Sequence, residues 1–242
     1  MKNILITGAG KGIGYECVKA LSNDKKVLIF ALMRSKSDLK KFDKIKNVIS
    51  FTGDVNNQKV INKIFNYALK RKIVIDGLVN NAGIRQRQNF LEISRKKINK
   101  IFQTNFFSIF YLMQIFSKGL IRKKRPGAIV NIGSIVGNLG FSQLSGYAST
   151  KMALIGLTKS FAVEMASKNI RANLINPGFT KTSFYKKFKS KKKLYNWTIS
   201  RIPLKRWAEP YEIANLVKFL LSNKSSYING EVINIDGGWT NA

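Results

Sequence analysis

Tyr147 and Lys151 stand four residues apart in SGYASTKMALIGLTKSFAVEM, in a chain without a single histidine. A helix through that run places both side chains on one face, one turn apart. A free phenol titrates near pH ~10 and is a poor base at neutrality, but a neighbouring ammonium favours the phenolate and lowers that value. The pair predicts acid–base chemistry by a phenol tuned by an amine. Tyr-x-x-x-Lys recurs by chance, so its weight comes from its company. Ser134 ends the run AIVNIGS shortly before it, NNAG at 80–83 ends an earlier run, and NPG at 176–178 ends a later one.

A second chemical element lies near the start. TGAGKGIG, Thr7 to Gly14, follows a strand-like run and opens a helix. Glycines in that setting let backbone N–H groups approach a pyrophosphate at a helix N-terminus, where the dipole favours negative charge. The spacing Gly8, Gly12, Gly14 departs from the common G-x-G-x-x-G fingerprint. Folds that prefer NAD usually place an acid at the end of the second strand to hold the ribose 2′-hydroxyl. Here that strand ends IFALMRS, with Met33 where the acid is expected and Arg34 after it. A missing carboxylate and an added guanidinium suit a 2′-phosphate, and Lys11 in the loop can approach it from the other side. The expected cofactor is NADP(H) over NAD(H).

The elements that must position these residues alternate from end to end. Strand candidates are NILIT, VLIFALM, VISF, DGLVN, AIVNIGS, IRANLIN and EVINI; helix candidates begin near Gly12, Asn56, Arg95, Phe106, Tyr147 and Pro210. The strand runs are continuously apolar, as in a parallel sheet covered by helices on both faces. The expectation is one α/β domain over residues 1–242, a doubly wound Rossmann fold with a parallel sheet of about seven strands. Pro210 suits the first turn of its helix. The stretch from about 178 to 206 breaks the rhythm and is expected to form a lid over the site.

Composition narrows the class. The chain has 242 residues, 45% hydrophobic and 23% charged, as in a soluble globular domain. No apolar run reaches the length of a membrane span, and MKNILITGAG enters a strand directly, so a cytoplasmic protein is expected. Cys17 is the only cysteine, which leaves no disulfide framework or zinc cluster; it is expected to be buried and inert, and no metal site is expected. With 43 Lys+Arg against 12 Asp+Glu the formal net charge is +31. Such a field attracts polyanions, so a nucleic-acid- or membrane-surface-binding protein without enzymatic activity is one reading. The basic residues are spread along the chain, which favours lysines that solvate the surface; the one local cluster is FYKKFKSKKKLY, Phe184 to Tyr195.

Taken together, TGAGKGIG, NNAG, the Ser134–Tyr147–Lys151 set and NPG occur in the order found in short-chain dehydrogenases/reductases, and the chain resembles that family over essentially its whole length. The resemblance implies that Tyr147 exchanges a proton with the substrate oxygen, that Lys151 lowers its pKa and holds the nicotinamide ribose, and that Ser134 binds the substrate carbonyl. It implies that Asn105 anchors a proton-relay water. For the cofactor it implies Gly8, Lys11, Gly12, Ile13 and Gly14 at the pyrophosphate, Arg34 at the 2′-phosphate, and Asp54 with Val55 at the adenine. Asn81, Ala82 and Gly83 fall beside the adenine ribose, and Pro177, Gly178 and Thr182 near the nicotinamide. The implied reaction is hydride transfer between nicotinamide and a carbonyl carbon. A homotetramer is implied, with the helices around Asn105 and Tyr147 at one interface.

The substrate is less determined. RIPLKRWAEPYEIANLVKFLLSNKSSYINGEVINIDGG resembles the C-terminal part of 3-oxoacyl-[acyl-carrier-protein] reductases, which use NADPH. Their acidic carrier protein would suit the lysine cluster with Arg201, Lys205 and Arg206. Against that, NNAGIRQRQNF and the ending DGGWTNA look more like sugar-acid dehydrogenases of the same family, whose carboxylated substrates would suit Arg85, Arg87 or the same lysines.

Overall fold

The apolar runs expected as strands are strands, and they lack polar alternation because helices cover both of their faces. In the computed structural model, which describes residues 2–242, they are β1 (Lys2–Thr7), β2 (Val27–Met33), β3 (Val48–Thr52), β4 (Gly77–Asn80), β5 (Gly127–Ile132), β6 (Ile170–Pro177) and β7 (Val232–Ile235). They form one sheet in the order β3-β2-β1-β4-β5-β6-β7, every neighbouring pair parallel. Along β1 the side chains of Ile4 and Ile6 point to one core and Leu5 to the other; along β2, Ile29 and Ala31 alternate likewise with Phe30 and Leu32. This is period-2 geometry with both faces buried.

On one face lie α1 (Gly12–Ser22) and α8 (Pro210–Leu221), packed through Cys17, Val18, Leu21, Ile213 and Val217. On the other lie α2 (Gln58–Lys70), α4 (Ser108–Arg122) and α5 (Ser145–Met165), through Ile64, Leu112, Phe116 and Leu154. Burial among these side chains pushes the Cys17 thiol up to about 12, so it stays protonated and unreactive. Pro210 does start α8, backed by a reciprocal cap between Glu209 and Glu212. Because β1 and β4 are neighbours, the chain winds outward from them in both directions. The crevice this leaves at the strands' C-terminal ends is where such folds bind ligands.

Two features differ from a simple strand–helix rhythm. The helices expected near Arg95 and Phe106 are one path: α3 (Arg95–Phe102) runs through a π-helical turn, Gln103–Phe107, into α4. The 178–206 stretch is also not an open loop. It carries α6 (Tyr185–Lys189) and α7 (Lys192–Arg201), folded around the indole of Trp207 just beyond the stretch. Rings of Phe179, Tyr185, Phe188 and Tyr195 lie 4.9–5.8 Å from fully buried Trp207, whose N–H donates to Thr198 Oγ1 at 2.8 Å. Trp239, the tryptophan of the DGGW ending, packs into the same cluster against Phe141 and Phe179.

Candidate active site

Ser134, Tyr147 and Lys151 line one cavity of about 360 Å³ above the C-terminal ends of β4, β5 and β6. The separate strand ends deliver them there, and the local contacts fix them. Ser134 follows β5; its N–H donates to Asn176 Oδ1 of β6 at 2.9 Å, and its hydroxyl oxygen accepts from Val136 N at 3.2 Å. The same hydroxyl also reaches the Tyr147 phenol across the cavity. The turn after it comes down on α5 at Gly137, where a Cβ would lie 3.2 Å from the Lys151 and Met152 backbone. A glycine there lets the turn after Ser134 lie close against the helix that carries Tyr147 and Lys151.

Lys151 is 5% exposed, and its ammonium donates to the Ile132 carbonyl at 2.7 Å with no carboxylate alongside. Burial lowers its pKa to about 8. Tyr147 is half-buried, and desolvation raises its pKa, opposed by the Ser134 hydroxyl and the guanidinium of Arg85. The Lys151 ammonium lies 5.7 Å from the centre of the Tyr147 ring and donates to the strand carbonyl. On balance the phenol stays protonated, the state that a proton donor to a carbonyl oxygen requires.

Asn105 lies behind the cavity, fully buried in the π turn. Its Oδ1 accepts from Ile84 N at 2.8 Å, and its Nδ2 donates to Ile84 O at 2.9 Å and Thr150 Oγ1 at 3.2 Å. Thr150 in turn donates to the Tyr147 carbonyl at 2.7 Å. The extra residue of a π turn lets one amide join the loop after β4 to the helix bearing Tyr147.

The other expected residues divide between two connected spaces. Ile13, Asn81, Gly83, Pro177, Gly178 and Thr182 border the Tyr147 cavity. Gly8, Lys11, Arg34, Asp54, Val55 and Ala82 border a second cavity of about 410 Å³, and Gly83 borders both. Gly12 and Gly14 border neither cavity and lie packed in the first turn of α1. A Cβ on Gly14 would lie 2.4 Å from the Gly8 carbonyl, and one on Gly12 would touch the Thr182 methyl at 3.1 Å. Asn81 Nδ2 ties the loop down by donating to the carbonyls of Thr7 and Gly8. No side chain caps the N-terminus of α1. Its N–H groups and positive dipole end therefore face the cleft open to an anion, as a pyrophosphate requires. The residues present fit a nicotinamide dinucleotide laid along the cleft.

One residue escapes the sequence pattern, and one pair is resolved only by the structure. Asp38, in the 3₁₀ turn Lys36–Lys41, is a buried acid beside the second cavity, its carboxylate on Lys41 at 2.7 Å. It lies past the strand end where an acid is ordinarily sought, and Lys41 ties it to the glycine loop by donating to both Asp38 Oδ1 and the Gly10 carbonyl at 2.7 Å. Arg85 borders the Tyr147 cavity, whereas Arg87 turns away and donates to Gln143 Oε1 at 2.8 Å. Spacing alone gave no means of separating these two.

The fold and this site define a nicotinamide-dependent oxidoreductase. The chain belongs to the short-chain dehydrogenase/reductase family, residues 8–240 matching the family model described as enoyl-(acyl carrier protein) reductase. It is 37% identical over 242 residues to the 3-oxoacyl-[acyl-carrier-protein] reductase FabG of Buchnera aphidicola subsp. Schizaphis graminum, covering 98% of this chain and 96% of that one. Among solved structures it is similar to 4-hydroxyisoleucine dehydrogenase complexed with NADH, with TM-score 0.94, 32% identity and 100% of both chains covered. ElxO with NADP bound has TM-score 0.91 and 34% identity, covering 100% of this chain and 99% of that one. No helix among the described residues is long and apolar enough to cross a membrane.

Proposed function

We propose that this protein is an NADP(H)-dependent reductase that interconverts a 3-oxoacyl group and its secondary alcohol, as its likeness to FabG suggests. The observation that carries this reading is the meeting of Ser134, Tyr147 and Lys151 in one cavity beside an uncapped glycine-loop helix. A bound nicotinamide supplies or accepts the hydride. Ser134 turns its hydroxyl hydrogen from the phenol to the substrate carbonyl, Tyr147 delivers its proton to the same oxygen as negative charge develops there, and Lys151 holds the cofactor ribose. Asn105 positions the loop and helix on either side.

Lys11 and Arg34, both exposed at the second cavity, support a 2′-phosphate, since Asp38 is already paired with Lys41. The segment 178–206 is the lid: Thr182 and Phe184 border the cavity, and Lys186, Lys187 and Lys189 sit on the adjoining helix. With Arg201 and Lys205 these cations suit an acidic carrier protein, and Arg206, paired with Glu212, is the least available of them. Exposed Phe107, Tyr111, Met152 and Val163 on the helical path around Asn105 and on α5 support a homotetramer. A sugar-acid oxidoreductase is the second reading, favoured by Arg85 at the cavity.

The test is NADPH oxidation with an acetoacetyl thioester, in wild type and Tyr147→Phe. The expected outcome is turnover in the wild type and its loss in the variant, with NADPH binding retained. Full activity in the variant would overturn the assignment of Tyr147.

A further inference from the structure

Cations outnumber acids so widely in this chain that an unpaired lysine on its surface means little. Inside the Tyr147 cavity the count is different. Only two of the residues bordering it carry a formal charge, Lys151 and Arg85, and neither Asp nor Glu is among them. Lys151 is turned onto the Ile132 carbonyl. Arg85 has no carboxylate: none of the ion pairs among the described residues includes it.

The placement of Arg85 is nevertheless built. The residue before it, Ile84, is held through both its N–H and its carbonyl by the buried amide of Asn105. Two residues further on, Arg87 and Gln88 are fastened to Gln143. The guanidinium carbon lies 5.3 Å from the centre of the Phe184 ring, within reach of a cation–π contact with the lid. Arg85 is exposed at the rim of the cavity; desolvation of its inner side lowers its pKa, and the neighbouring Tyr147 and Arg87 act in opposite directions. A guanidinium so held, without a counter-charge, is a receptor for a planar anion.

We propose that Arg85 binds a carboxylate of the substrate, so that the Tyr147 centre also interconverts small free oxo acids and hydroxy acids whose carboxylate lies a few bonds from the reacting carbon. This rests on the oxidoreductase reading and extends its range of substrates. In the reduction the carbonyl carbon gains a hydride from the reduced nicotinamide and its oxygen gains the Tyr147 proton. The oxo acid becomes a hydroxy acid, and the nicotinamide is oxidised. The phosphate of a pantetheine arm does not meet the same need. It stands a whole pantetheine beyond the thioester carbonyl, and a cavity of about 360 Å³ does not hold both ends.

The experiment compares acetoacetate and 4-oxopentanoate with their methyl esters, which keep the carbonyl and remove the charge, following NADPH and NADH oxidation in wild type, Arg85→Gln and Arg85→Lys. An acetoacetyl thioester serves as the uncharged reference. A charge-assisted pair at Arg85 predicts a wild-type preference for acid over ester in kcat/KM of roughly 10- to 100-fold. The Gln variant should lose that preference through KM, and the Lys variant should recover part of it. Equal use of acid and ester by the wild type, or an unchanged ratio in Arg85→Gln, overturns the proposal. Turnover of the thioester without the acids sinks this proposal alone, whereas no turnover of any carbonyl sinks the oxidoreductase reading with it.

Discussion

Lys151 is a buried ammonium with a carbonyl for company, and its low pKa makes two measurable statements. Below about 8 it is charged in the folded protein, and above that it is neutral. If the charged form holds the cofactor, kcat/KM for reduction should be level below pH ~8 and decline above it. The unfolded chain keeps the lysine protonated up to its ordinary 10.5, so between about 8 and 10.5 it binds more protons than the folded one. Stability from this residue therefore rises with pH across that window, and its burial is a cost at neutrality. Lys151→Met should abolish turnover yet raise the unfolding free energy at pH ~7 by on the order of 1–3 kcal/mol, less what the lost hydrogen bond to Ile132 contributes. A less stable variant in urea titration would show that the ammonium is better compensated than its surroundings indicate. Arg34 gives a second test at this scale. Arg34→Glu should lower the preference for NADPH over NADH by roughly 10- to 100-fold, the worth of a charge-assisted contact. An unchanged ratio of kcat/KM values would remove Arg34 from the 2′-phosphate.

Among the elements, the glycine loop leaves no room for a side chain at Gly14. Gly14 is helical and needs no special backbone angle; it is glycine because the Gly8 carbonyl and the Asn81 amide occupy the place of a side chain. Gly14→Ala should push β1 and α1 apart at the loop and weaken NADPH binding at least ~10-fold, a change of about 1.4 kcal/mol, with little loss of secondary structure. Fluorescence titration with NADPH measures it, and unaltered affinity would mean that the loop yields more easily than its packing implies. That loop was legible in the sequence because glycine restricts what can stand there. The strands were equally plain, since seven parallel strands covered on both faces must read as apolar runs. The π turn was not legible: one added residue at 103–107 leaves the amphipathic pattern of α3 and α4 intact on either side. Nor were the two helices within 178–206, which are organised by Trp207 and Trp239 from outside the segment's own periodicity. The choice between Arg85 and Arg87 depended on which loop holds Gln143, a tertiary fact.

At the scale of the whole molecule, the charge and the proposed assembly oppose each other. Each chain carries a formal net charge of +31, spread over its surface. Four such chains repel one another unless counterions screen them, and the Debye length falls from ~30 Å at 0.01 M salt to ~8 Å at 0.15 M. The attraction comes from the exposed apolar side chains of the α4 and α5 region, Tyr111, Met152 and Val163 among them, which salt does not weaken. Assembly of this chain should therefore tighten as salt is added, opposite to an association held by ion pairs. Light scattering after size exclusion should give a tetramer at about 0.15 M and a shift toward smaller species near 0.01 M. A monomer at every ionic strength would refute the tetramer. Dissociation on adding salt would instead place opposite charges at the interface and return the basic surface to a role in binding. The same titration with a nucleic acid present separates the field from the site. Loose binding that disappears by about 0.15 M salt is what dispersed surface lysines produce, and retention at that ionic strength is what a dedicated polyanion surface requires.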